Sequence, residues 1–323
     1  MRLGHDSLSP GATRLVTLAG TIGSFAEAAT KALPEMSGLR VGESTVERTT
    51  ERVGEELGKK LAAGSVLGAS TPWPWTEDAE GKTCAFIAAD STGVGMQGPK
   101  GAKAEGRMAA VAMVWNAKDG KKGGEVRYLS GITGGLAALG VPLRNQGGQV
   151  GMDKAERWVA ISDGGIGIED WLRVHFPRVE AVILDFYHAS EYLHEWGKAC
   201  HPRDEDAART LAGTLCHRLK HEGGRAVLGE LQRNRDAGDA VREKVLVYFG
   251  NQVHRMDYPA YRAKGWPIGS GPVEAACKQV VNTRLKGTGM RWGEPGADAV
   301  CHLRALFRSE KSQWDAFWAT LAG

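Results

Sequence analysis

Three acids stand where this sequence can do chemistry. Asp90 closes the apolar run CAFIAAD and is followed by STGVG. Asp163 closes WVAIS and is followed by Gly164 and Gly165. Glu274 sits near the start of GPVEAACKQVVNTRLKG. The ends of sheet strands carry side chains into the crevice beyond the sheet edge. Glycines directly after the acids let a backbone or a phosphate approach closely. Three carboxylates from separate elements, meeting at one point, form a hard-oxygen site suited to Mg²⁺ or Mn²⁺. Such a site holds two ions about 3.5–4 Å apart, one on the attacking and one on the leaving oxygen. A scissile phosphodiester is already anionic, so the ions must reverse the local sign before carboxylates can approach it. Each acid also has a plain structural explanation. Asp90 and Asp163 can open turns through their own backbone, and Glu274 can cap a helix and pair with Lys278 one turn on.

A second set of residues could contact nucleic acid. Lys278, Arg284, Lys286 and Arg291 cluster on and after the Glu274 helix, where they would track a DNA backbone beside the cut; a solvated basic face is the alternative. Arg48 and Arg52 fall on the outer side of an N-terminal helix. Lys100, Lys103 and Arg107 lie between the first two strands and could grip a flanking duplex. Trp196 and Trp292 could stack on an unpaired base or simply pack. Cys200-His201 and Cys216-His217-x-x-x-His221 invite a zinc check, but no pair has Cys-x-x-Cys spacing.

Composition narrows the class. The chain has 323 residues, 42% hydrophobic and 24% charged, as expected of a soluble globular protein. Its formal net charge is only +3, so any phosphate-binding charge must be local. Five cysteines at wide spacing give no disulfide framework and imply free thiols in a reducing cytoplasm. No signal peptide, membrane span or GxxxxGK[ST] phosphate loop is present. A cytoplasmic protein with no membrane partner and no nucleotide cofactor is expected.

The elements that must position the acids emerge from period and punctuation. Residues 1–70 are helical, with SFAEAATKAL capped at Ser24, a turn from Pro34 to Gly42, and a second helix capped at Ser44 that carries Thr45, Glu47, Arg48, Thr49, Glu51 and Arg52 outward. Two such helices are compatible with helix-turn-helix geometry. TPWPWTED is a stiff boundary. Three antiparallel strands are expected at 84–90, 108–116 and 125–133, then a strand ending at Asp163, a helix closed by Pro177, and a strand ending near Asp185. Residues 189–264 are helical, YPAYRAKGWPIGSG is an irregular return, and the last helices run from Pro272, with Gly287 just past the end, and from Gly296 to Phe317. The fold class is α/β with a mixed sheet. The segments are 1–75, an N-terminal helical DNA-binding domain; 76–188, the first part of a catalytic core; 189–264, a helical insertion; and 265–323, the second part with the last acid.

Taken together, AADSTGV, SDGGIGIEDWL, LDFYHA and PIGSGPVEAACK followed by RLKGTGMRW resemble bacterial DDE insertion-sequence transposases, closest to the ISKra group. The resemblance spans roughly residues 10–320. It implies an RNase H-like core with a helical insertion before the last acid, and Asp90, Asp163 and Glu274 as ligands of two Mg²⁺ or Mn²⁺ ions. It implies cleavage of transposon-end DNA and strand transfer into target DNA, by a homodimer or larger assembly that pairs two ends. Asp185 and His188 match the Asp-x-x-His element that such enzymes carry beside the active site. The strand order favours Asp163 over Asp185 as second ligand, and leaves His188 to position the phosphate or carry a proton. Many relatives have a Cys-rich segment ahead of the helical part, whereas this sequence begins at the helical part. Two other readings share the residues: an RNase H-like nuclease without strand transfer, and a transposase-derived DNA-binding protein without activity.

Overall fold

Serine caps start the first helices. In the computed structural model, which describes residues 8–102, 104–117, 124–234 and 236–322, α1 (Pro10–Ile22) begins at Ser9 with Pro10 in its first position. The candidate Lys103 lies outside the described residues. Ser24 caps α2 (Phe25–Glu27): its hydroxyl accepts from the Glu27 amide at 3.2 Å and donates to the Glu27 carboxylate at 2.9 Å. The helix does not stop at Pro34. It passes through a π turn (Ala28–Ala32) into α3 (Leu33–Ser37), because the wider turn accommodates a ring with no N–H to give. Gly38, at φ +69°, ends it. α4 spans Glu43–Ala62, and its N-cap is Gly42 with no side-chain bond, so Ser44 is not the cap. Thr49 is buried rather than outward, as is Thr50 beside it.

Next come β1 (Cys84–Val94), β2 (Arg107–Trp115), β3 (Val126–Gly131), α5 (Gly140–Gln149), β4 (Arg157–Ser162), α6 (Ile168–His175) and β5 (Val179–Leu184). The fold is α/β with one five-stranded mixed sheet in the order β3-β2-β1-β4-β5. β2 pairs antiparallel with β3, while β1 with β4 and β4 with β5 are parallel. Ile87, Val159, Ile161 and Ile183 are fully buried, which explains why these strands read as continuous apolar runs rather than alternating ones. The β1–β4 register runs from Cys84↔Arg157 to Ala88↔Ile161. β1 does not end at Asp90. It continues to Val94, so Asp90 lies within the strand.

Helices α7 (Phe186–Cys200), α8 (Glu205–Glu222), α9 (Gly224–Arg233), α10 (Asp239–Gln252) and α11 (Tyr258–Ala263) come after β5. The expected irregular return therefore starts with a helix, capped by Asp257, and is irregular only beyond Ala263. α12 (Gly271–Ala276) runs through a π turn (Cys277–Asn282) into α13 (Thr283–Leu285). The tail is two helices, α14 (Glu294–Arg308) and α15 (Lys311–Ala322), broken at Ser309 and Glu310.

The chain forms two compact units: one of Met1–Trp73, Ala89–Lys154 and Val273–Gly323, the other of Pro74–Ala88 and Ala155–Pro272. This division differs from the expected four segments, since the N-terminal helices share a unit with the last ones. The first break falls after Trp73. In the first unit, α4 and α14 approach closely at small residues. A Cβ on Gly54 would strike the Ala299 carbonyl, and one on Gly58 would lie 2.7 Å from the His302 ring. In the second unit, Gly197 of α7 lets α8 approach in the same way, its added Cβ striking the Ala208 carbonyl. Among the described residues, no helix is long and apolar enough to cross a membrane.

Candidate functional site

In the first unit, the Glu274 helix is held against β1 at Asp90. The Cys277 thiol lies 3.5 Å from Asp90 Oδ2, and Asp90 Oδ1 accepts from the Ser91 amide at 2.6 Å. Glu274 precedes Cys277 by about one turn, in the first turn of α12, and is exposed. The contact continues along the strand: Thr92 donates to Asn282 at 3.1 Å and accepts from Lys286 Nζ at 2.6 Å. Cys277 carried no signal in the sequence, because a lone cysteine in an apolar helix face looks like packing.

Two buried arginines brace this helix from behind. A π turn leaves carbonyls without the usual i+4 donor. Arg304 supplies donors: its Nε bonds Val280 O at 3.1 Å, and its Nη2 bonds Gln279 O and Thr283 Oγ1. Arg284 donates Nε to Gly20 O at 2.9 Å and lies against the rings of Phe25 (4.6 Å) and Trp292 (4.8 Å). Burial, then the neighbouring Arg304 charge, brings the Arg284 pKa down to about 10. Arg284 is 2% exposed. It therefore cannot track a DNA backbone, and that assignment is corrected: the residue ties the helix to α1. Trp292 is likewise buried and donates Nε1 to Leu285 O at 3.0 Å, so it packs and does not stack on a base. Lys278, Lys286 and Arg291 are exposed.

In the second unit, Asp163 directly succeeds β4. Its Oδ1 accepts from the Gly165 amide at 3.1 Å. Gly164 is required there, since a Cβ would lie 2.7 Å from the Tyr248 ring. Beneath the strand end sits Arg255, which sequence reasoning missed. Its Nη2 donates to Ser162 Oγ at 2.6 Å and reaches the Ser162 and Asp163 carbonyls at 3.4 Å; its Nε donates to Val182 O at 3.2 Å, and its Nη1 to Gln252 Oε1 at 2.9 Å. Glu169 stands 3.8 Å away. A single 1% exposed guanidinium thus clamps the ends of β4 and β5 and the backbone of Asp163. In sequence, Arg255 is one arginine among many in a polar helical stretch.

Asp185 caps α7. Its Oδ1 accepts from the Tyr187 amide at 2.9 Å and its Oδ2 from the Ser270 hydroxyl at 2.6 Å. Asp185 is buried, at 7% exposure, so both oxygens face protein donors. His188 is half-buried, 3.4 Å from Glu191 and edge-on to Tyr192 and Tyr248. The Asp185 carboxylate is taken by Ser270 and the Tyr187 amide rather than by His188 one turn on.

The structure also places the remaining candidates. Arg48 and Arg52 are on the exposed side of α4. Arg107 pairs with Glu294 at 3.3 Å, and Lys100 adopts a left-handed backbone at φ +54°. Trp196 is fully buried and packs. His217 and His221 stack at 4.4 Å. Among the described residues, no three His, Cys, Asp or Glu side chains form a group able to hold a metal ion, either there or around the three acids.

Compared with known proteins, the chain matches no family model, and no curated protein is significantly similar to it.

Proposed function

We propose that this chain is a DDE transposase with an RNase H-like core, cutting transposon-end DNA and joining it to target DNA. The observation that carries the reading is the 3.5 Å approach of Cys277 to Asp90, which holds the helix of Glu274 against the strand of the first acid. The sheet adds support. A mixed sheet in the order β3-β2-β1-β4-β5, with β1, β4 and β5 parallel, is compatible with such a core.

When bound, two Mg²⁺ or Mn²⁺ ions would supply charge neutralisation and an activated oxygen nucleophile. The chain's own part is to present carboxylates of fixed orientation. Arg255 fixes the backbone at Asp163, Cys277 and Ser91 fix the carboxylate of Asp90, and Arg304 satisfies the π turn behind Glu274. Lys278, Lys286 and Arg291, exposed on and after that helix, would hold DNA phosphates, while Arg48 and Arg52 would serve end recognition. A homodimer would pair two ends.

The test is a labelled duplex bearing the ends of the chain's own element, incubated with Mg²⁺, Mn²⁺ or chelator. Metal-dependent nicking and subsequent joining to a second duplex support the proposal. Nicking without joining favours the nuclease reading, and metal-independent binding alone favours a non-catalytic DNA-binding protein.

A further inference from the structure

Next to Asp163, within the second unit, lies a cavity of about 460 Å³ that the carboxylate chemistry does not use. Its lining includes Gly164, Ile166, Tyr192, Lys244, Tyr248 and Gln252. Tyr192 and Tyr248 stack on each other with ring centres 3.7 Å apart and planes at 10°. Lys244 Nζ sits 5.3 Å from the Tyr192 ring centre and pairs with Glu195 at 2.7 Å. Gln252 gives its oxygen to Arg255, which leaves its amide N–H groups for a ligand. The Tyr248 hydroxyl is buried and has no hydrogen-bond partner among the described residues. Ile166 is fully exposed and Val247, also lining the cavity, is 55% exposed. Leaving such apolar surface bare beside an aromatic wall is costly, and a flat apolar face would cover it.

Few ligands want all of these at once. A phosphate would use Lys244 but not the rings or the isoleucine. An aliphatic chain would leave the amide and the cation idle. A nucleotide uses the rings, the amide and the cation together: its base has a face for aromatic and apolar side chains, acceptor edges for an amide donor, and a phosphate for which Lys244 would exchange Glu195, while Glu243 of the same lining stays in solvent. We propose that this cavity takes one unpaired nucleobase of the DNA strand running past Asp163. The inference rests on the reading that the chain acts on DNA. It adds that the DNA is locally opened when bound, with Tyr192, Tyr248 and Gln252 as the base-binding residues and Lys244 on the adjoining phosphate.

The experiment uses the full chain and DNA carrying 2-aminopurine, whose fluorescence falls when the base stacks. Two probes are compared: a duplex with the analogue paired, and the same duplex with the analogue in a one-nucleotide bulge. The expected result is tighter binding and stronger quenching for the bulge. Tyr192→Leu should weaken bulge binding about tenfold while changing paired-duplex binding little, and Tyr192→Phe should restore it. Lys244→Ala, a change at an exposed side chain, serves as a second variant where folding is not at issue and should weaken bulge binding severalfold. Equal affinity for both probes, with no effect of Tyr192→Leu or Lys244→Ala, would overturn the base site and leave the DNA reading intact. Binding of neither probe would overturn both.

Discussion

Ser270 donates its hydroxyl to Oδ2 of Asp185 over 2.6 Å, while Oδ1 of the same carboxylate accepts from the Tyr187 amide. The bond joins the Asp-x-x-His element to the glycine-rich return just before the Glu274 helix. It assigns Asp185 a bracing role. Asp185→Asn should keep a metal-dependent activity, lowered but measurable, and lose about 1–3 kcal/mol of stability in urea unfolding, as should Ser270→Ala. Full loss of activity in a well-folded Asp185→Asn would move Asp185 into the metal-binding set.

Arg255 is expected to be the most sensitive cation in the second unit. Burial lowers its pKa, yet its donors are spent on Ser162, Asp163, Val182 and Gln252. Arg255→Ala strands those acceptors and should cost about 3 kcal/mol or more. Arg255→Lys cannot reproduce the planar fork and should recover only part of that loss. Urea unfolding, read alongside cleavage rate, checks both.

The basic residues of the last core segment should divide by burial. Arg284→Ala should destabilise the fold by about 2–4 kcal/mol, through lost ring contacts and a lost bond to Gly20, with no selective effect on DNA. Lys278→Ala and Lys286→Ala should leave the melting temperature nearly unchanged. Each should weaken DNA binding and reduce the slope of log affinity against log salt by about 1. Fluorescence anisotropy at several salt concentrations separates the two classes.

These same residues show how much was legible in the sequence. Asp163, Asp185 and the strands before them were readable because buried parallel strands are short apolar runs stopped by turn residues. Ser24 was readable because a cap and its glutamate are local. Arg284 was misread since a charge in a polar-looking stretch gives no sign of the ring pair that buries it, one ring being Phe25, far away in the chain. Arg255 was missed for a related reason: its partners come from β4 and β5, and only the fold brings them together. The π turn after α12 was invisible because its compensation, Arg304, lies on another helix. Ser44 failed as a cap because the helix begins two residues earlier than expected, a boundary shift that composition does not resolve.

Asp298 should give the first unit an acid-sensitive term. Burial alone would raise its pKa. The His302 hydrogen bond and charge, with the Ile132 amide at 2.6 Å, instead hold it down at about 2 against an ordinary 3.8. A carboxylate with a depressed folded pKa contributes its full stability above pH 4 and loses it as pH falls through 2. The contribution is about 2 kcal/mol. Asp298→Asn should flatten stability against pH between 4 and 2, measured by denaturant unfolding at each pH.

The most direct measurement of the central claim is end cleavage in Mg²⁺ and Mn²⁺ by Asp90→Asn, Asp163→Asn and Glu274→Gln, each first shown to fold and to bind DNA like wild type. The account predicts that all three lose cleavage and strand transfer while keeping DNA binding. Wild-type cleavage in the Asp163→Asn or Glu274→Gln variant would contradict it.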